Sequence, residues 1–105
     1  MKIAVPSKDD KGLESEVEEH FGRARYYTIV EVDRGRVVNV EILENPFLRH
    51  EPGDIPRLLK EHGVEAVLAG NIGARARRYF KDCGIEVIAG CSGKVENAVK
   101  TYFRI

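Results

Sequence analysis

Ala66-Val67-Leu68-Ala69-Gly70-Asn71-Ile72-Gly73 decides the fold. Four apolar residues in a row read as a strand buried on both faces, and the glycines mark a tight turn into a helix. Past the turn, Ile72, Ala76, Phe80 and Cys83 recur at helical spacing, with Arg75, Arg77, Arg78 and Lys81 largely outside that stripe and Gly84 at its end. Ile85 to Ala89 is a further strand. Gly90-Cys91-Ser92-Gly93 then repeats the glycine turn before Val95, Ala98, Val99 and Tyr102 line a last helix. Upstream, Asp54 caps a helix that carries Ile55, Leu58, Leu59 and His62 on one stripe, with Gly63 closing it. Strands alternating with helices pair in parallel through right-handed crossovers.

The first half of the chain has a different rhythm. Ile3-Ala4-Val5 reads as a central strand, followed by the polar loop Pro6 to Gly12. Tyr26 to Asp33 is rich in β-formers and Asp33-Arg34-Gly35 is turn chemistry. Val37 to Leu43 returns with Val38, Val40 and Ile42 on one face and Asn39 and Glu41 on the other. Asn45 to Gly53 holds two prolines and no periodicity, so it is a loop. Between the first strand and the hairpin, Ser15 followed by Glu18 is a capping-box signature. It predicts a short helix with Val17 and Phe21 on its apolar face and Gly22 in the left-handed exit. The elements assemble as an α/β fold: a five-stranded mixed sheet in the order third, second, first, fourth, fifth. Helices pack on it in the ribonuclease H-like arrangement, and residues 1–105 form one domain.

The totals narrow the function classes. The chain has 105 residues, of which 43% are hydrophobic, enough for a folded two-layer core. Lysine plus arginine and aspartate plus glutamate balance at 17 each, so bulk charge does not call for nucleic acid and any anion site is local. Glutamine and tryptophan are absent and 32% of residues are charged, a composition that fits a heat-adapted organism. No apolar run approaches the ~20 residues of a membrane span, and the apolar start is too short for a signal peptide. These features predict a cytoplasmic protein with no membrane partner. Cys83 and Cys91 match no zinc-type spacing, and a disulfide is not expected in that compartment.

In such a sheet, ligands collect outside the carboxyl ends of the parallel strands, most of all where strand order switches. Three loops meet there: Pro6-Ser7-Lys8, Gly70 to Gly73 and Gly90 to Gly93. Glycine turns that open helices can aim backbone amides at an anion, and Arg75 lies just inside one of those helices. As ordinary short-loop residues, the same glycines need no ligand at all. Cys91 falls on this rim and is a candidate thiolate ligand with its pKa lowered by the helix start, whereas Cys83 reads as a small core residue. His20 sits near Arg23 and Arg25 in the last turn of the expected helix. It is either a surface histidine favoured by the helix carbonyl end or a metal ligand through neutral imidazole. His50 and His62 have weaker claims.

With these residues in view, the chain resembles the dinitrogenase iron–molybdenum cofactor biosynthesis family, the small domains related to NifX and the C-terminal part of NifB. The marks are Ile3-Ala4-Val5-Pro6-Ser7, His20-Phe21-Gly22-Arg23-Ala24, Val64 through Ala76, Gly84-Ile85-Glu86-Val87 and Gly93 through Val99. Asn71 departs from the pattern, which more usually has a small residue there, and Cys91 is not a family ligand. The resemblance implies a ribonuclease H-like fold and a protein that carries iron–molybdenum cofactor or its iron–sulfur precursor between cluster donor and acceptor proteins. The histidine of its H-F-G segment, implicated in cluster binding, falls on His20.

The leading expectation is a non-catalytic carrier of an anionic cluster. His20 and Cys91 would serve as metal ligands, with Ser7, Arg23, Gly70, Asn71, Gly73, Arg75, Ser92 and Gly93 around the cargo. A small-anion-binding regulatory or interaction module is the alternative. Ribonuclease H-type metal catalysis needs several carboxylates at the sheet centre, but Lys2 to Ser7 holds none and the fourth strand ends in Ala69-Gly70.

Overall fold

The computed structural model describes residues 1–47, 49 and 51–105. Its strands are β1 (Lys2–Ser7), β2 (Tyr26–Asp33), β3 (Arg36–Glu44), β4 (Val64–Leu68) and β5 (Glu86–Ile88), and its helices are α1 (Asp54–Glu61), α2 (Ala74–Asp82) and α3 (Val95–Phe103). The sheet order is β3-β2-β1-β4-β5, as the alternation of elements predicts. β1 pairs antiparallel with β2 and parallel with β4, so the strand order switches between β1 and β4. Ile3, Ala4 and Val5 are fully buried because helices cover both faces. Ala4 faces a core built with Ile55 and Leu59 of α1 and Phe80 of α2. Ile3 and Val5 face a second core, with Val95 and Val99 of α3.

The hairpin forms through a two-residue turn in which Arg34 (φ 53°) and Gly35 (φ 77°) both adopt positive φ. That matches the right-handed twist of the strands, and glycine takes it without steric cost. β3 also carries one extra residue. Glu31 pairs with Asn39 but Val32 pairs with Val37, leaving Val38 as a bulge. β5 is shorter than the run Ile85 to Ala89 because the Ile85 amide donates to the Phe80 carbonyl (2.9 Å) and so belongs to the end of α2.

The expected helix between Ser15 and Gly22 does not form. Two short 3₁₀ turns, Gly12–Glu14 and Phe21–Arg23, flank an extended segment, and Gly22 is not left-handed. Val17 and Phe21 would share one face of a helix, yet Val17 enters the α3-side core and Phe21 the α1/α2-side core. Only an extended chain delivers both. The Ser15 hydroxyl turns to the Asp9 backbone instead of capping a helix.

Two outcomes follow from the packing. Phe80 is fully buried, with its ring edge-on to Phe21 at 5.2 Å. Phe80→Ala should cost about 3–5 kcal/mol in denaturant unfolding. Arg34 bears the steric cost of positive φ, so Arg34→Asn should stabilise the chain by about 0.5 kcal/mol in the same measurement.

Candidate functional site

Ser15 to Phe21 is a strap across the carboxyl ends of the sheet. It is fastened by main-chain hydrogen bonds to all three loops that gather there. Near β1, the Lys8 amide donates to the Glu16 carbonyl (3.0 Å) and the Glu18 amide to Pro6 (2.8 Å). At the loop before α3, the Val17 amide donates to Gly93 (2.8 Å) and the Val95 amide to Ser15 (2.8 Å). At the loop before α2, the Asn71 amide donates to Glu19 (2.7 Å) and the Phe21 amide to Asn71 (3.1 Å). The strap starts in one core with Val17 and ends in the other with Phe21, so Glu18-Glu19-His20 is the crossing over the sheet end.

The crossing requires glycine at position 70. A Cβ there would lie 3.0 Å from the Glu19 carbonyl oxygen, 3.1 Å from Glu19 Cα and 3.2 Å from the Cys91 carbonyl oxygen. All three are backbone atoms, so nothing nearby gives way cheaply.

His20 is exposed and extended (φ −106°, ψ 104°), in a parallel bridge with Asn71, and its amide donates to the Glu18 carboxylate at 3.3 Å. The structure therefore sets His20 beside the Gly70–Gly73 loop, at the crest of a strap rather than in a helix end. Next to it, a cavity of about 260 Å³ is lined by Phe21, Gly22, Ile55, Gly73 and Arg75. On the other side of Gly22, an open depression of about 420 Å³ is lined by Arg23, Arg25, Glu44 and Asn45. His20 precedes Phe21 and Gly22 in the chain, and Gly22 is shared by both hollows, one holding Arg75 among mostly apolar neighbours and the other Arg23 beside the Arg25–Glu44 pair. Asn45 joins Arg23 and Arg25 there only through the pairing of β3 with β2, which no local sequence signal marks.

Other expected site residues go elsewhere. Ser7 is fully buried beneath the strap, its hydroxyl engaged with the Val5 carbonyl (2.8 Å) and the Thr28 hydroxyl (2.7 Å), and it has no route to a ligand. Cys91 and Ser92 line a different cavity, of about 350 Å³, between β5 and α3. The Cys91 thiol lies 3.8 Å from the Ile88 carbonyl, and burial pushes its pKa up, where the helix start was expected to lower it. Gly93 contributes its carbonyl to the strap, and the Asn71, Gly90, Cys91 and Val95 amides are all taken by backbone carbonyls, so these four cannot cradle an anion. No cluster of three or more metal-ligating side chains exists among the described residues. Cys83 packs against the α1/α2-side core, as expected of a small core residue. His62 is half-buried with Nδ1 at 3.4 Å from the Glu41 carboxylate, and His50 lies outside the described residues.

The sequence pattern of the dinitrogenase iron-molybdenum cofactor family matches residues 1–104. The chain belongs to that family. An uncharacterized protein of Methanocaldococcus jannaschii is 32% identical over 105 residues, spanning 97% of this chain and 85% of its own length. Among solved structures, PH0822 superposes with a TM-score of 0.91 at 41% identity, covering 99% of this chain and 91% of that one. A putative NifB protein from Thermotoga superposes at 0.79 with 30% identity, over 98% of this chain and 87% of that one. The apo orange protein of Desulfovibrio gigas shares the fold, with a TM-score of 0.83 at 24% identity, over 98% of this chain and 87% of its own. Family membership ties the chain to iron–molybdenum cofactor biosynthesis and binding. No helix among the described residues is long and apolar enough to cross a membrane.

Gly70→Ala tests the crossing. It should destabilise the chain by about 1–3 kcal/mol. It should also speed hydrogen exchange at the Asn71 and Phe21 amides, with the amides of β2 and β3 unchanged in NMR.

Proposed function

We propose that this chain is a non-catalytic carrier of an anionic iron–sulfur or iron–molybdenum–sulfur cluster, received from a donor protein and passed to an acceptor. His20 is its protein ligand to the metal. The observation that carries this reading is the placement of an exposed imidazole on the strap's crest, directly before the segment Phe21–Arg23 that lines two hollows holding Arg75 and Arg23. A neutral imidazole nitrogen is a good iron ligand, and Arg23 and Arg75 supply cationic donors toward the sulfides of a net-negative cluster. Glu18 and Glu19 flank the imidazole and oppose the same cargo, so the hold is loose. A carrier that must release its load is served by sparse ligation of this kind. Cys91 and Ser7 take no part.

The test is anaerobic titration with isolated cofactor or a synthetic iron–sulfur cluster. His20→Ala should weaken binding at least tenfold, as expected for loss of a first ligand. Its stability should stay within about 0.5 kcal/mol of wild type, since His20 contributes to neither core. Cys91→Ser should bind like wild type. Equal affinity in wild type and His20→Ala would remove the ligand role and leave a small-anion module as the better reading. Thermal melts should be indifferent to chelator, because apolar side chains build both cores.

A further inference from the structure

β5 is the short edge of the sheet, and its outer side is unpaired among the described residues. The Ala69 amide donates to the Ile88 carbonyl (2.8 Å) and the Gly90 amide to the Gly70 carbonyl (2.8 Å), so the even positions bond toward β4. By the alternation of a parallel ladder, the Val87 N–H and C=O and the Ala89 N–H point away from the sheet. Free edge groups of this kind are a template for another strand.

A hollow lies on each face of this edge, and the two differ in charge. On the α2 face, an open depression of about 430 Å³ is lined by Ile85 and Val87 and by Arg77 and Lys81, which stand one turn apart on α2. Neither cation has a carboxylate partner among the described residues. Glu86 borders the same depression, but its carboxylate accepts from the Tyr102 hydroxyl of α3 (2.7 Å). On the α3 face, the cavity of about 350 Å³ has apolar walls at Leu68, Ile88 and Ala98 and the uncharged side chains of Asn97 and Thr101 beside them; none of its lining residues is charged.

We propose that an extended segment of a partner protein adds to the sheet beside β5, with an acidic residue opposite Val87 and an apolar residue on either side of it. Main-chain bonds to the edge would give affinity, and the two hollows would give specificity. Cross-strand neighbours share a face, whether the added strand runs parallel or antiparallel. Val87 packs toward the α1/α2-side core and Ile88 toward the α3-side core. The residue opposite Val87 therefore faces Arg77 and Lys81, and the residue opposite Ile88 lies over the uncharged cavity. Charge complementarity selects an acid at the first position and rejects one at the second, next to the Glu86 carboxylate. A nucleic acid fits this edge poorly, since its phosphates do not alternate with apolar groups and only the α2 face is cationic. The proposal does not depend on cluster carriage.

An NMR titration of the full chain with a capped threonine–valine–glutamate–valine–threonine peptide decides this. The Val87 and Ala89 amides should shift and exchange more slowly with solvent, while the amides of β3 stay unchanged. Lysine in place of the glutamate should raise the dissociation constant about tenfold, because it sets like charges together. N-methylation of the three central residues keeps the charge but removes the main-chain donors, and should weaken binding by about as much. Arg77→Glu combined with Lys81→Glu, both at exposed positions, should reverse the preference toward the lysine peptide. Equal affinity for the glutamate and lysine peptides would overturn the proposal, as would an N-methylated peptide that binds like its parent or no shift at millimolar peptide. Tighter binding of oligothymidylate would replace the partner with a nucleic acid. Broadening of Val87 and Ala89 that grows with protein concentration alone would put a second copy there instead. The unmethylated and methylated peptides both use the wild-type chain, so the test stands even if the double variant folds poorly.

Discussion

The close approach at Gly70 is the constraint on which the rest of this molecule depends. Three stretches of backbone pass within van der Waals contact there: the strap at Glu19, the end of β4, and the loop at Cys91. Because position 70 has no side chain, the strap can lie flat on the sheet end and bond to its neighbours on both sides. Val17 then reaches the α3-side core and Phe21 the ring cluster with Tyr27 and Phe80. Moving the strap away by even one side-chain radius would withdraw one of those anchors. It would also break the two hydrogen bonds that tie Asn71 to the strap, worth about 0.5–1.5 kcal/mol each.

The strands and helices were legible because each carries its own period. β1 is apolar without a break, β2 is rich in β-formers, β3 alternates after a turn that demands positive φ, and α1, α2 and α3 show apolar stripes ended by glycine or polar residues. Those signals are local, and the sheet order follows from them with few alternatives. The strap was not legible, for a physical reason. Ser15 and Glu18 fit a capping box, and Val17 and Phe21 fit one face of a helix, so local chemistry favours a turn of helix. Six main-chain hydrogen bonds to distant loops and burial on two opposite faces outweigh that preference, and none of them is written in the segment itself. The burial of Ser7 was hidden for the same reason: its loop was rightly put at the carboxyl ends, but the strap that covers its side chain is not written in the loop.

His20 was put in the right neighbourhood for an incorrect reason. A helix end would have given the imidazole a carbonyl field and a fraying backbone. A strap pinned at Glu18, Glu19 and Phe21 holds its Cα on both sides and leaves only the side chain free. For the proposed ligand role such rigidity would matter, since less conformational entropy would be lost on binding a metal. Charge around it is uneven, with Glu18 and Glu19 on the strap and Arg23, Arg25 and Arg75 around the hollows. The proposed cargo, of net negative charge, would be directed by this asymmetry to the Gly22 side of the imidazole.

In open α/β sheets the crevice at the switch in strand order receives the ligand, between loops that diverge to opposite faces. Here that crevice lies between β1 and β4, and the chain's own backbone fills it. The Asn71 and Val95 amides point at the strap carbonyls of Glu19 and Ser15, and the Gly90 and Cys91 amides at the carbonyls of Gly70 and Ala69. A ligand at this end of the sheet therefore approaches from the outer side of the strap, where the proposed cargo would meet the His20 imidazole, the guanidiniums of Arg23 and Arg75 and the first turn of α2.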